Sequence, residues 1–180
     1  MEQTKENKMG TMPVNKLLVT MSLPIVISML IQAMYNLVDS VFVAQINPDA
    51  LTAVGMAFPM QSLMIAFQTG LGVGMNALVS RYLGQKKPYE AGLAATHALI
   101  LTALNYVIFL IVGLTAIPAF FSIQTHSEII AGYGVEYLSI VCCGSLGLFF
   151  QIYGERILQA TGKTLLSMVS QILGAVINIV

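Results

Sequence analysis

The stretch from residue 17 to residue 48 is the feature that most constrains the fold of this chain. Its 32 residues contain one acidic or basic side chain, that of Asp39. A helix of this length extends about 48 Å, whereas the hydrocarbon core of a bilayer is about 30 Å thick. A carboxylate inside a membrane is costly unless it is protonated or paired, so such residues commonly mark ion or proton pathways. The alternative interpretation is a buried structural Asp39, satisfied by Asn36 or by a neighbouring helix.

The composition of the chain is also typical of a membrane protein. Hydrophobic residues make up 57% and charged residues 9%, against about 25% charged residues in typical soluble domains. The formal net charge is zero, so the sequence offers no basic face for nucleic acid. No serine has a plausible His or Lys partner at a comparable depth, so the sequence predicts that the protein is not an enzyme.

The distribution of basic residues predicts the topology. All eight Lys and Arg fall into three groups: Lys5, Lys8 and Lys16; Arg81, Lys86 and Lys87; and Arg156 and Lys163. The connections at residues 47–52 and 118–132 contain none. If the apolar runs alternate across the membrane, every basic residue lies on one side, which the positive-inside rule assigns to the cytoplasm. We therefore expect a multi-pass protein of the plasma (inner) membrane, surrounded by lipid, with a cytoplasmic N-terminus.

The apolar runs predict an all-α integral membrane fold. The expected transmembrane helices cover about residues 17–46, 53–82, 90–117, 134–158 and 164–180. Residues 1–12 are expected to form a cytoplasmic tail, and residues 118–132 an outer connection that begins at Pro118. The fifth helix would extend about 25 Å, which is less than a full crossing, so we expect a fragment of a longer protein.

The first helix carries a polar ridge in an otherwise apolar sequence. Tyr35 and Asn36 precede Asp39 by four and three residues, and Gln32 continues the same helical face one turn earlier. Such a ridge is suited to face a water-filled cavity. A carboxylate at this point could exchange a proton or bind Na⁺ through oxygen ligands. Further polar residues, which we expect to line a cavity, lie in the second helix: Gln61 and Gln68.

Three segments, taken in order, resemble the multidrug and toxic compound extrusion (MATE) family of cation-coupled exporters. The first is Leu23-Pro24, Gln32 and Tyr35-Asn36-Leu37-Val38-Asp39. The second is Ser80-Arg81-Tyr82-Leu83-Gly84, and the third runs from Leu158 to Thr164 and is followed by Ile177-Asn178-Ile179-Val180. Their order and spacing along almost the whole chain make the resemblance specific.

The resemblance implies a transporter of twelve helices, arranged as two six-helix lobes around a central cavity. Residues 13–180 would supply five helices of the incomplete N-terminal lobe, and the second lobe of the same protein would be its partner. By this resemblance Asp39 is the cation- or proton-coupling carboxylate, and Tyr35 and Asn178 lie close to it. Pro24 would be a hinge of the first helix, and no cofactor is expected besides the coupling ion.

The expected function is therefore a multidrug antiporter that exports amphiphilic, often cationic, compounds in exchange for Na⁺ or H⁺. One alternative is a lipid-linked precursor flippase of the same superfamily, which would require a cationic cavity for pyrophosphate; the predicted spans contain no central Lys or Arg. Another alternative is a non-transporting, truncated lobe that acts as an interaction protein.

Overall fold

The described part of the chain consists of five α-helices. The computed structural model describes residues 12–179, without the side chains of Asp39, Val43, Ala44, Ile46, Asn178 and Ile179. The helices are α1 (Val14–Ile46), α2 (Pro48–Gly84), α3 (Pro88–Gln124), α4 (Glu128–Ala160) and α5 (Thr164–Ile179). The predicted all-α fold with five helices is confirmed. The predicted tail lies outside the described residues, except for residue 12.

The length and composition of the helices match a membrane setting. Four helices, α1 to α4, are long and apolar enough to cross a bilayer. Helix α5 has 16 described residues, which correspond to about 24 Å. Large apolar side chains are exposed along the helices, including Ile123 at 85% and Ile177 at 77%. Such a surface is unfavourable in water and suits contact with lipid or with further apolar helices.

Short connections join successive helices and reverse the chain direction. Helix α2 begins after Asn47, whose side-chain oxygen accepts a hydrogen bond from the Asp49 amide at 2.9 Å. The turn between α2 and α3 contains Lys86 with a φ of 58°, and the turn before α5 contains Gly162 with a φ of 78°. Because the chain reverses at each connection, α1, α3 and α5 begin at the same end of the bundle.

The predicted extent of the connection at residues 118–132 is wrong. Helix α3 continues through Pro118 to Gln124, and α4 already begins at Glu128, so the connection is confined to residues 125–127. A proline inside a helix removes a single backbone hydrogen bond, which apolar packing can offset within a membrane protein.

In the extended parts of both helices, Phe121 of α3 packs against Gly134 of α4. Phe121 is completely buried, and a Cβ atom added to Gly134 would overlap its ring. Burying an aromatic side chain is worth about 1.5–3 kcal/mol. Glycine at 134 therefore lets the start of α4 approach the last turn of α3 closely.

Helices α2, α3 and α4 form a three-helix core around buried apolar residues. The largest buried side chains of this core are Met64, Phe109, Ile117, Phe121, Leu138 and Phe149. Helices α3 and α4 approach closely where Gly113 faces Cys142, because an added Cβ would lie 2.6 Å from the Cys142 sulfur. Helix α1 packs mainly against α5 and less extensively against α2. The α1–α5 pair therefore forms a second packing unit beside the core.

Candidate functional site

The polar ridge of α1 meets α4 and α5 at a small cavity that is partly open to the surface. The cavity has a volume of about 160 Å³, which is enough for several water molecules. Its lining residues come from three helices: Ser28, Gln32 and Tyr35 of α1, Gln151 of α4, and Gln171, Gly174 and Ala175 of α5. None of these described lining residues is acidic or basic. The cavity is therefore polar but uncharged, and it is partly open because Gln32, Gln151 and Gly174 are exposed.

Two of the polar groups at the cavity already have partners within their own helices. The Ser28 hydroxyl donates to the backbone oxygen of Pro24 at 2.7 Å. The Gln151 side-chain amide donates to Oε1 of Glu155 at 3.1 Å. Both partners lie one turn away along the helix, a common arrangement for polar side chains in apolar helices.

The side-chain oxygen of Gln171 differs from these groups. Oε1 of Gln171 is buried and has no hydrogen-bond partner within the described part of the chain. A buried acceptor without a donor costs about 1–3 kcal/mol. The cavity therefore contains an acceptor that a water molecule or a cation could satisfy.

The two residues expected to bind the coupling ion are placed by the backbone. Helices α1 and α5 run in the same direction, and Tyr35 and Gly174 line the same cavity. Asp39 and Asn178 each follow these residues by four positions, which is about 6 Å along a helix. Both lie on helical backbone, and their side chains are outside the described set. Asp39 and Asn178 therefore both lie about one helical turn beyond the same side of the cavity.

The remaining predicted site residues lie in different surroundings. Pro24 is buried within a continuous helix α1, and its role as a hinge stays a prediction. Asn36 is exposed. Gln61 is half-buried, and its amide donates to the Tyr137 hydroxyl at 3.1 Å.

Gln68 lies in the three-helix core, away from the residues that line the cavity. It is completely buried. Its amide nitrogen donates to the Thr102 hydroxyl at 3.1 Å and to the Phe149 backbone oxygen at 3.2 Å. Its side-chain oxygen accepts from the Asn105 amide at 3.1 Å. Gln68 therefore joins α2 to α3 and α4.

The sequence interpretation missed Gln151 and Gln171 as cavity residues. The signal that drew attention to Gln32, an uncharged polar side chain within an apolar helix, is present at both positions. No three His, Cys, Asp or Glu residues lie together among the described side chains. The expected Na⁺ or H⁺ site at Asp39 stays a prediction.

Long apolar helices with exposed apolar surfaces define a multi-pass membrane protein. The chain belongs to the MatE family, whose sequence profile matches residues 24–180. The resemblance found in the sequence motifs is therefore confirmed.

Two curated relatives differ in their named substrates. The chain is 26% identical over 168 residues to an FAD transporter of Shewanella oneidensis, covering 93% of this chain and 37% of the relative. It is 25% identical over 168 residues to the multidrug export protein MepA of Staphylococcus haemolyticus, covering 92% and 37%. The chain thus spans little more than a third of the length of either relative.

Solved structures share the fold. An outward-facing multidrug resistance MATE family transporter of the MOP superfamily gives a TM-score of 0.90 at 30% identity, over 97% of this chain and 39% of that chain. A MOP superfamily transporter from Pyrococcus furiosus gives the same values. The five helices of this chain therefore have the same arrangement as the matching part of these larger transporters.

Proposed function

We propose that this chain forms five helices of the N-terminal lobe of an exporter that is driven by Na⁺ or H⁺. The observation that carries the proposal is the polar cavity between α1, α4 and α5, one helical turn from Asp39 and Asn178. A second lobe supplies the other wall of the transport pathway. The alternating positions of the basic residues support an inner-membrane orientation with a cytoplasmic N-terminus.

In the proposed mechanism Asp39 binds the coupling cation, and the oxygens of Tyr35 and Asn178 contribute to the same site. Inward- and outward-open states bind the cation with different affinities, so cation binding shifts the balance between them. The same states bind the exported compound with different affinities. The gradient of the coupling cation can therefore drive export of the compound. Pro24 interrupts the backbone bonding of α1 and supplies the point at which that helix bends.

The chemistry of the cavity favours amphiphilic or cationic cargo over phosphate-bearing cargo. Its described lining residues carry amide and hydroxyl groups and no Lys or Arg, so they offer no counter-charge to a phosphate. The same feature is evidence against a lipid-linked pyrophosphate as substrate. An FAD-like dinucleotide, as transported by the Shewanella relative, would require basic groups from the rest of the protein.

The test uses the full-length protein reconstituted in proteoliposomes with ethidium as the amphiphilic cation. We expect Asp39→Asn to abolish cation-driven efflux, because the neutral amide cannot exchange a proton or balance a bound cation. Asp49→Asn is the matched control, since Asp49 is exposed in the first turn of α2.

Three outcomes would contradict the proposal. Wild-type efflux by Asp39→Asn would remove the coupling role of that carboxylate. Translocation of a lipid-linked pyrophosphate without ethidium efflux would favour the flippase. Absence of both activities, with stable association of the chain and another membrane protein, would favour an interaction protein.

A further inference from the structure

A second and larger concave surface, an open groove of about 510 Å³, lies between α2 and α3. The α2 wall extends from Gly70 to Tyr82, and the α3 wall from Glu90 to Leu101. Gly70 and Gly74 are exposed, and a Cβ atom added to either would meet no atom within 4 Å. The missing side chains of these two glycines therefore leave room for an apolar group of another molecule.

The groove is about as long as one leaflet of a bilayer. Tyr82 follows Gly70 by twelve positions, which is about 18 Å along a helix. The hydrocarbon core of a bilayer is about 30 Å thick, so one leaflet contributes about 15 Å. Because α2 and α3 are long and apolar enough to cross the membrane, the groove extends from one membrane surface to about the middle of the bilayer.

One end of the groove is basic. Tyr82 and Glu90 line this end, and the turn that joins α2 to α3 closes it, since the Lys87 amide donates to the Tyr82 backbone oxygen at 2.9 Å. The side chains of Arg81, Lys86 and Lys87 are exposed there. Three positive charges thus stand against the single negative charge of Glu90, and the groove has a cationic mouth above an apolar trough.

The trough is apolar except for one side chain. Leu78, Leu93 and Leu101 are exposed along it. His97 also lines the groove and is exposed, about two helical turns from Glu90. An imidazole at this depth can form a hydrogen bond with a polar group that lies between a charged headgroup and an acyl chain.

We propose that this groove binds one anionic phospholipid. The lipid phosphate contacts Lys86 and Lys87 at the mouth, the hydroxyl of Tyr82 and the imidazole of His97 bind oxygens of the glycerol ester region, and one acyl chain fills the space over the two glycines. A cationic drug is disfavoured by the basic mouth, and free phosphate has no apolar part to fill the trough. The site goes beyond the proposed function, because it depends on neither the coupling ion nor the cargo.

The test is photo-cross-linking of the detergent-solubilised, full-length protein to a phosphatidylglycerol that carries a diazirine in one acyl chain. Cross-linked peptides are identified by mass spectrometry. Unlabelled phosphatidylglycerol, phosphatidylethanolamine, inorganic phosphate and ethidium are the competitors. We expect cross-links within residues 70–82 and 90–101, and we expect only phosphatidylglycerol to compete for them efficiently.

Two changes test the two parts of the groove. Gly74→Leu fills the trough, and we expect these cross-links to be lost. Gly55→Leu is the matched control, because Gly55 is an exposed glycine of the same helix with equally open surroundings, outside the groove. Each variant is used only as a single folded species.

The mouth is tested by combining Lys86→Gln with Lys87→Gln. We expect the phosphatidylglycerol concentration for half-maximal cross-linking to rise about thirtyfold, from the loss of two charges near an anionic headgroup. Lys16→Gln combined with Lys163→Gln removes two exposed charges at the same end of the bundle and should leave that concentration unchanged.

The inference is overturned if folded protein gives no cross-links in these two ranges, which would also be the result if another helix of the full-length protein covers the groove. Equal competition by phosphatidylethanolamine would show general lipid contact without recognition of the headgroup. Competition by ethidium and not by phosphatidylglycerol would make the groove a drug site. Cross-links that are retained in Gly74→Leu would place the acyl chain elsewhere, and each of these three results also overturns the inference.

Discussion

The side-chain amide of Asn105 donates to Oε1 of Gln68 across 3.1 Å, joining α3 to α2 inside the apolar core. Gln68 in turn donates to Thr102 and to the backbone of Phe149, so one side chain bonds to two other helices. Fully satisfied polar clusters of this kind fix the relative position of packed helices, because any shift leaves a buried group unpaired.

Replacing Gln68 should therefore destabilise the protein. We expect Gln68→Ala to lower its stability by about 1–3 kcal/mol, because the Asn105 amide and the Thr102 hydroxyl lose their partner. The change is measured as a fall in the thermal unfolding midpoint of the detergent-solubilised protein. Gln124→Ala, at the exposed end of α3, is the control and should change little. Loss of efflux at unchanged stability would indicate a role for Gln68 in transport instead.

The contact between Gly113 and Cys142 should be sensitive to a single methyl group. An added Cβ at position 113 would lie 2.6 Å from the Cys142 sulfur, so we expect Gly113→Ala to cost about 1–3 kcal/mol. Gly92→Ala in the same helix meets no atom within 4 Å and should be neutral or slightly stabilising.

Adding Cys142→Ala to Gly113→Ala should recover part of the loss, because the sulfur is removed. A double-mutant cycle from thermal or denaturant unfolding measures this coupling. Additive effects of the two changes would show that the helices do not meet at this point.

The start of α2 depends on Asn47. Its side chain accepts the Asp49 amide hydrogen bond at 2.9 Å, and removal of such a cap costs about 0.5–2 kcal/mol. We expect Asn47→Ala to lower the unfolding midpoint and Asn47→Asp to retain it, since aspartate accepts the same bond. Equal midpoints for Asn47→Ala and the wild type would show that the cap does not stabilise α2.

Within the candidate site, Tyr35 should contribute to cation binding. A hydrogen bond to a charged group is worth about 1.5–3 kcal/mol, which corresponds to about ten- to hundredfold in affinity. We expect Tyr35→Phe to raise the cation concentration for half-maximal ethidium efflux by about this factor. Tyr133→Phe, at an exposed position in α4, should leave that concentration unchanged. An identical result for the two variants would exclude Tyr35 from the cation site.

The existence and order of the helices were predictable because long apolar runs are separated by short proline- or glycine-containing turns. The end of α3 was not, since Pro118 is a helix breaker by itself, whereas Phe121 beyond it packs closely against Gly134 of α4. This contact joins residues of two different helices, so the local sequence pattern around Pro118 does not show it.

The different roles of Gln32 and Gln68 were likewise not predictable from the sequence. Gln32 and Gln68 are both single amides within apolar helices, so sequence alone gives them the same interpretation. The first lines the polar cavity, and the second is bonded in the core, because Asn105 and Thr102 of α3 lie beside it. Gln171 could have been identified by the rule that selected Gln32, but its burial depends on α1 packing against α5.

The pairing of α1 with α5 has a consequence for biosynthesis. Helix α1 leaves the ribosome before α2, α3 and α4, whereas α5, its main packing partner, is made after them. At about 5–20 residues per second, the interval is on the order of ten seconds. During that time the polar side chains of Gln32 and Tyr35 have no α5 to pack against. The nascent chain must therefore hold α1 beside the translocon, a chaperone or a temporary neighbouring helix until α5 arrives.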